Sequence, residues 1–171
     1  MSNKYLKENR LADVIAAITA LSTYKFYKLD FKKWAHRIAG ISENPKHWET
    51  VFREHPEFFR INSGDGKASL VWRRQYPRTY DVDKGEDVKL PPSQKYVDGD
   101  RFSRRPLSPS EITALISVAG SMHDRALEQR NAKRWWIPIA TALLALLGAV
   151  IGGYLSGNEV GLEWLGKSAS D

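Results

Sequence analysis

Apolar residues recur along this chain first at helical spacing, then at strand spacing, and the changes of period mark its elements. Leu11, Val14, Ile15, Ile18 and Leu21 fall on one face at 3,1,3,3 spacing, which predicts a helix opened by Asn9. The aromatic stretch Tyr24–Tyr27 suits an extended piece. A second helix follows Asp30, with Phe31, Trp34, Ala35 and Ile38 as its inward stripe and Gly40 just past its end. Asn44 and Pro45 are the cap and first residue of a third helix, which buries Trp48, Val51, Phe52 and His55 until Pro56 stops it. The period then falls to two. Phe58–Asn62 and Lys67–Arg74 read as two strands joined through Ser63-Gly64-Asp65-Gly66, a hairpin signal. In the second strand Ala68, Leu70 and Trp72 point inward, so Lys67, Ser69, Val71 and Arg73 share the outer face.

From 79 to 106 the pattern dissolves into charge, Pro and Gly, and the segment reads as a linker, mobile or laid over the domain surface. It returns at Leu107. Ser108-Pro109-Ser110-Glu111 is a capping box with proline at the first helical position. No further proline occurs before Pro138, so one helix is expected from 109 onward. Ile112, Leu115, Ala119, Met122 and Ala126 alternate at 3,4 spacing, a coiled-coil seam of two heptads. Residues 137–155 then carry no charged side chain, long enough for a helix to cross a bilayer, which takes about 20 residues. The expected organisation is a domain over 1–78, a linker over 79–106, a helix over 107–134, a transmembrane helix over 135–156 and a short tail over 157–171.

Charge sets the orientation of that span. Arg125, Arg130, Lys133 and Arg134 precede it, and Lys167 alone follows it, against Glu159, Glu163 and Asp171. Positive flanks stay in the cytoplasm, so the N-terminal domain is expected inside and the tail outside. Arg130, Lys133, Arg134, Trp135 and Trp136 form the expected membrane-interface group, and membrane lipid is the first expected partner. Met1–Arg10 has no apolar h-region, so no secretory signal is expected ahead of the domain. Cysteine is absent, which removes disulfides and thiolate metal sites. Within the span, Gly148 and Gly152 form GxxxG, and Ala145, Ala149 and Gly153 supply a second row of small residues. Such rows let helices approach closely, so a homodimer or higher oligomer through 109–155 is an expectation.

The order helix, short strand, helix, tight turn, helix, hairpin over residues 9–78 resembles a winged helix-turn-helix domain. The expected fold class is therefore mainly α with a small β-hairpin (α+β), followed by a linker and one long α-helix ending in a transmembrane span. The resemblance implies DNA binding, with the third helix in the major groove and the second against phosphate. Residue by residue it carries over to Lys32, Lys33 and Arg37 on the second helix and to Lys46 and Arg53 on the third. Arg60, Lys67 and Arg73 follow on the wing. Residues 1–78 hold fifteen Lys/Arg and eight Asp/Glu, a balance suited to nucleic acid or anionic headgroups. Glu49 and Glu54 on the third helix oppose that use, and winged helices also serve as protein-interaction modules.

Enzyme motifs are missing. His36, His47, His55 and His123 make no HExxH pair, no G-x-S-x-G elbow occurs, and the Gly64–Lys67 turn lacks the strand–loop–helix setting of a P-loop. His55 lies on the apolar stripe and reads as a core residue. Asp81, Asp83 and Asp87 lack EF-hand spacing. We therefore expect no catalytic residue, cofactor or metal. Two function classes stay open: a membrane-tethered DNA-binding module (a regulator or chromosome tether), or an adaptor that holds a cytoplasmic protein at the membrane. A membrane-acting effector is a weaker third, because the span has no polar residue at its middle.

Overall fold

The computed structural model describes residues 3–40, 44–89, 101–134 and 136–167, with side chains as far as Tyr154. Trp135 and residues 90–100 of the expected linker lie outside the described residues. The chain divides into two compact units, Met1–Ala126 and Leu127–Asp171.

The first unit is mixed α and β. It opens with α1 (Arg10–Thr23), β1 (Lys28–Asp30), α2 (Phe31–Ala39), α3 (Pro45–Glu54), β2 (Phe59–Ile61) and β3 (Lys67–Leu70). Local signals set most of these boundaries. The Asp30 carboxylate accepts the Lys33 N–H at 2.8 Å and caps α2, and Gly40 ends that helix at φ +74°, a conformation glycine reaches without strain. Asn44 accepts the His47 N–H at 3.1 Å, with Pro45 opening α3. Asn9 holds the cap position of α1 but makes no side-chain cap bond. Three helical stripes then share one core: Ile18 and Leu21 from α1, Trp34 and Ala35 from α2, Val51 and Phe52 from α3. Ala68 and Leu70 close it from the sheet, and Trp34 Nε1 donates to Ala68 O at 3.0 Å.

The sheet runs β1-β3-β2, both pairs antiparallel, so β3 is central and Ser69 faces Lys28 on one side and Arg60 on the other. Here the structure corrects the expected second strand. It stops at Leu70, Ser69 is buried, and Trp72–Gln75 form a 3-10 turn. That turn carries Arg73 inward and not onto the outer face. Its guanidinium is fully buried, donating from Nη1 to Leu21 O at 2.8 Å and Tyr24 O at 2.7 Å, and from Nε to Arg105 O at 3.0 Å. Nη2 donates to Arg104 O. Carbonyls at a helix C-terminus lack intrahelical donors and carry partial negative charge, which is why a cation is drawn there. Burial lowers the Arg73 pKa to about 10, so it is still a cation at neutral pH. Arg73 is therefore withdrawn from the expected DNA-contacting group.

The described part of 79–106 is built into this unit. A second antiparallel sheet, order β5-β4-β6, joins β4 (Tyr80–Asp81), β5 (Glu86–Asp87) and β6 (Phe102–Ser103). Asp81 is buried and accepts from Asp83 N, Lys84 N and the Arg101 guanidinium, so its carboxylate organises a turn. Leu107 N donates to Ser22 O at 2.9 Å, and Tyr27 N donates to Ser103 Oγ at 3.0 Å. Strands of two residues are too short to leave an alternation in the sequence.

The capping box forms as expected: Ser108 N donates to Glu111 Oε2 at 2.7 Å, and α4 spans Pro109–Ala132. Its apolar stripe has a different use from the expected coiled coil. Leu115 and Ala119 are buried in the core of the first unit, Ile112 and Met122 pack against it, and Ala126 is buried too. An apolar stripe requires cover, and in this chain the chain itself supplies it. His123 Nδ1 adds a bond to Tyr5 O at 2.8 Å.

In the second unit the helix is interrupted. Lys133 and Arg134 form a turn before α5 (Trp136–Lys167). Pro138 has no N–H for the Arg134 carbonyl and its ring crowds that oxygen, so a continuous helix is blocked there. Ile137 N instead reaches Arg134 O at 3.0 Å. Between Pro109 and Tyr154 lies an unburied 18-residue stretch of mean hydropathy 2.0, helical and apolar enough to cross a membrane.

Two predictions follow from this packing. A fragment ending at residue 78 loses two of the Arg73 acceptors and the Leu115–Ala119 cover, so it should lack a cooperative unfolding transition, whereas 1–126 should show one in urea. The second concerns acid. Burial alone would raise Glu57, but bonds from Lys4 at 2.9 Å, from the Tyr5 hydroxyl and from His55 Nδ1 at 3.0 Å outweigh it, lowering its pKa from 4.5 to about 2. Glu111, held by the Tyr76 hydroxyl, Arg105 and Ser108, is likewise lowered against burial to about 2. A depressed carboxyl stabilises the fold above its unfolded pKa, so this contribution is present above pH 4.5 and fades as pH falls toward 2. Glu57→Gln should flatten that fall in a pH series of denaturant unfolding curves.

Candidate functional site

Asp30 ends β1 and caps α2, so the two elements meet at a corner, and the solvent face of α2 looks over the extended chain before it. Trp34 and Ala35 face the core, which leaves Lys32, Lys33, His36 and Arg37 outward at 100° per residue. The register Asp30↔Lys67 brings the first residue of β3 to the same corner. Together with Tyr24, Phe26 and Lys28 these residues line a hollow of about 880 Å³.

The hollow is strongly cationic. Lys28, Lys32, Lys33, Arg37 and Lys67 line it, and among the described residues Asp30 is the one carboxylate in its lining. Lys28 pairs with Asp65 at 3.1 Å and Lys33 with Asp30 at 3.3 Å, both exposed enough to exchange with an incoming anion. Lys32, Arg37 and Lys67 make no ion pair among the described residues. Burial opposes ionisation of Asp30, but the Lys33 N–H and ammonium outweigh it and hold its carboxyl below the usual range.

Its floor is aromatic. The Tyr24 and Phe26 rings lie 5.8 Å apart, tilted by 57°, and Tyr24 meets Trp34 edge-on at 6.0 Å. The Arg37 guanidinium lies 4.4 Å from the Tyr24 ring centroid, and Lys25 lies 5.4 Å from that of Phe26. Cations stacked on ring faces stay ordered without a carboxylate to neutralise them. Charge and flat apolar surface are thus presented side by side, a combination that suits a phosphate-bearing ligand with planar groups.

The other sequence-derived candidates lie outside this lining. Lys46 and Arg53 are exposed on α3, with Arg53 bound to Glu49 at 2.7 Å through Nη2 and at 2.9 Å through Nε. Arg60 is exposed on β2. Glu54 is bound to Lys7 and, at 3.1 Å, to Arg10. Burial would raise its pKa, but these cations hold it below the usual range. Tyr24, Phe26 and Lys28 were not among the sequence candidates. Their signal is the alternation of aromatic and basic residues in Tyr24-Lys25-Phe26-Tyr27-Lys28, which reads equally as an ordinary strand.

On α5, Ala145, Gly148, Ala149 and Gly152 are exposed, and a Cβ built at either glycine meets nothing within 4 Å. Arg130, Lys133, Arg134 and Trp136 are exposed beside the helix break. No family model, curated protein or solved structure matches the chain.

Asp30→Ala removes both the cap of α2 and the carboxylate lining the hollow. It should cost about 1 kcal/mol of stability in denaturant titrations.

Proposed function

We propose that this protein is a non-enzymatic, membrane-anchored winged-helix module that holds nucleic acid, DNA in the first instance, at the cytoplasmic face of a membrane. The observation that carries this reading is the gathering of Lys28, Lys32, Lys33, Arg37 and Lys67 with two aromatic rings around one hollow. The winged-helix assignment is supported by the order α1-β1-α2-α3-β2-β3 and by the pairing of β1 on the outer side of β3. The anchor is α5, and the basic residues before it favour the cytoplasmic orientation. Phosphate contacts of this kind give affinity that falls with salt and carries no sequence information. A protein-adaptor reading finds its support on α3, where the Arg53–Glu49 pair offers mixed charge better suited to a protein surface than to a major groove.

The test is binding of full-length protein in neutral-lipid nanodiscs to random 15-base-pair DNA over a salt series. The expected dissociation constant is in the micromolar range near physiological salt and weakens steeply as salt rises. Replacing Lys32, Lys33 and Arg37 by Ala should lower the slope of log affinity on log salt by about two to three. An unchanged slope in that variant overturns the phosphate-contact assignment, and no binding at low salt overturns the nucleic-acid reading.

A further inference from the structure

We infer that the hollow between β1, α2 and the start of β3 is a single-strand site, in which an unpaired base stacks on Phe26, beside the Tyr24 ring that the Arg37 guanidinium covers, while the backbone follows Lys32, Lys33, Arg37 and Lys67. The inference rests on the nucleic-acid reading above and narrows its ligand.

Three observations favour a strand over a duplex. First, the cations and the rings share one concavity. Phe26 and Tyr24 are both partly exposed and line the same hollow as the lysines. A ring face contributes to nucleic-acid binding by stacking with a base, and bases in a duplex are already stacked on each other and closed to it. In single strands they are free, and stacking platforms beside a cationic groove are how such strands are held without sequence preference.

Second, the size fits. A hollow of about 880 Å³ lies within the range of roughly 300–1,000 Å³ that encloses compact organic ligands. It takes one or two nucleotides of a flexible strand at a time. Duplex recognition instead needs an element that projects into a groove about 12 Å wide.

Third, the projecting element is poorly equipped. In a winged helix that element is α3, and its Arg53 closes onto Glu49 at 2.7 Å. Among the described residues Lys46 is the α3 lysine or arginine without an ion pair, whereas Lys32, Arg37 and Lys67, which make none either, gather in the one hollow. Charge on this unit therefore favours the concave surface, where a duplex fits badly and a strand fits well.

The experiment uses the full chain in neutral-lipid nanodiscs, with fluorescein-labelled dT15 and a labelled random 15-base-pair duplex as probes. At one salt concentration dT15 should bind at least tenfold more tightly than the duplex. Phe26→Ala should weaken dT15 binding about tenfold while leaving the salt slope and the duplex affinity unchanged, because stacking and phosphate contact are separate contributions. Phe26→Leu keeps apolar volume without a ring and should show the same loss. An unchanged thermal melt in that variant excludes unfolding as the cause. Duplex binding as tight as dT15, or dT15 binding indifferent to both Phe26 variants, overturns the single-strand site and leaves salt-sensitive phosphate binding in place. Absence of salt-sensitive binding to either probe overturns both readings together.

Discussion

The buried guanidinium of Arg73 joins three parts of the first unit at a single side chain. It binds the carbonyls of Leu21 and Tyr24 where α1 ends, and those of Arg104 and Arg105 just before α4 begins. A charge fully withdrawn from water is stable only when its donors are matched, and each hydrogen bond from a charged group typically contributes about 1.5–3 kcal/mol. Here four backbone oxygens supply the match, from segments more than thirty positions away on either side of Arg73. The residues from Arg101 to Leu107 are thereby fixed against the unit, and α4 starts where its apolar stripe meets the core.

The sites that surround this tie show how unevenly a sequence states its own structure. Asp30, Gly40, Asn44-Pro45 and the Ser108–Glu111 box all sit where their side chains predict, because a cap or a turn depends on a few adjacent residues. The inward stripes of α1, α2 and α3 were nearly as plain, since burial repeats with the helical period, although on α1 Ala17 and not Ile15 belongs to the core. Arg73 was not. Its alternation with Ala68 and Leu70 places it outward, and its true position depends on a 3-10 turn and on carbonyls supplied by distant segments. The stripe on α4 was legible as a stripe, but periodicity says only that something covers it, and a partner helix and the chain's own core leave the same pattern.

The same division applies to the cationic hollow. Lys32, Lys33 and Arg37 were visible as one helix face, and Lys67 as a neighbouring wing residue. Lys28, Tyr24 and Phe26 belong to the hollow only through the β1–β3 register and the corner at Asp30, which are matters of tertiary pairing. The acidic objection from Glu54 also dissolved at that level, since its carboxylate is spent on Lys7 and Arg10.

Tyr24 also holds the hollow in shape. Its carbonyl is gripped by Arg73, its ring meets Trp34 edge-on, and the Arg37 guanidinium lies across it. One residue is thus immobilised from the main chain, from the core and from the solvent side. A guest entering the hollow meets a wall already set during folding, so little ordering entropy remains to oppose its capture. In such a preorganised wall, more of the contact energy of any guest appears as affinity and less is lost to fixing side chains in place.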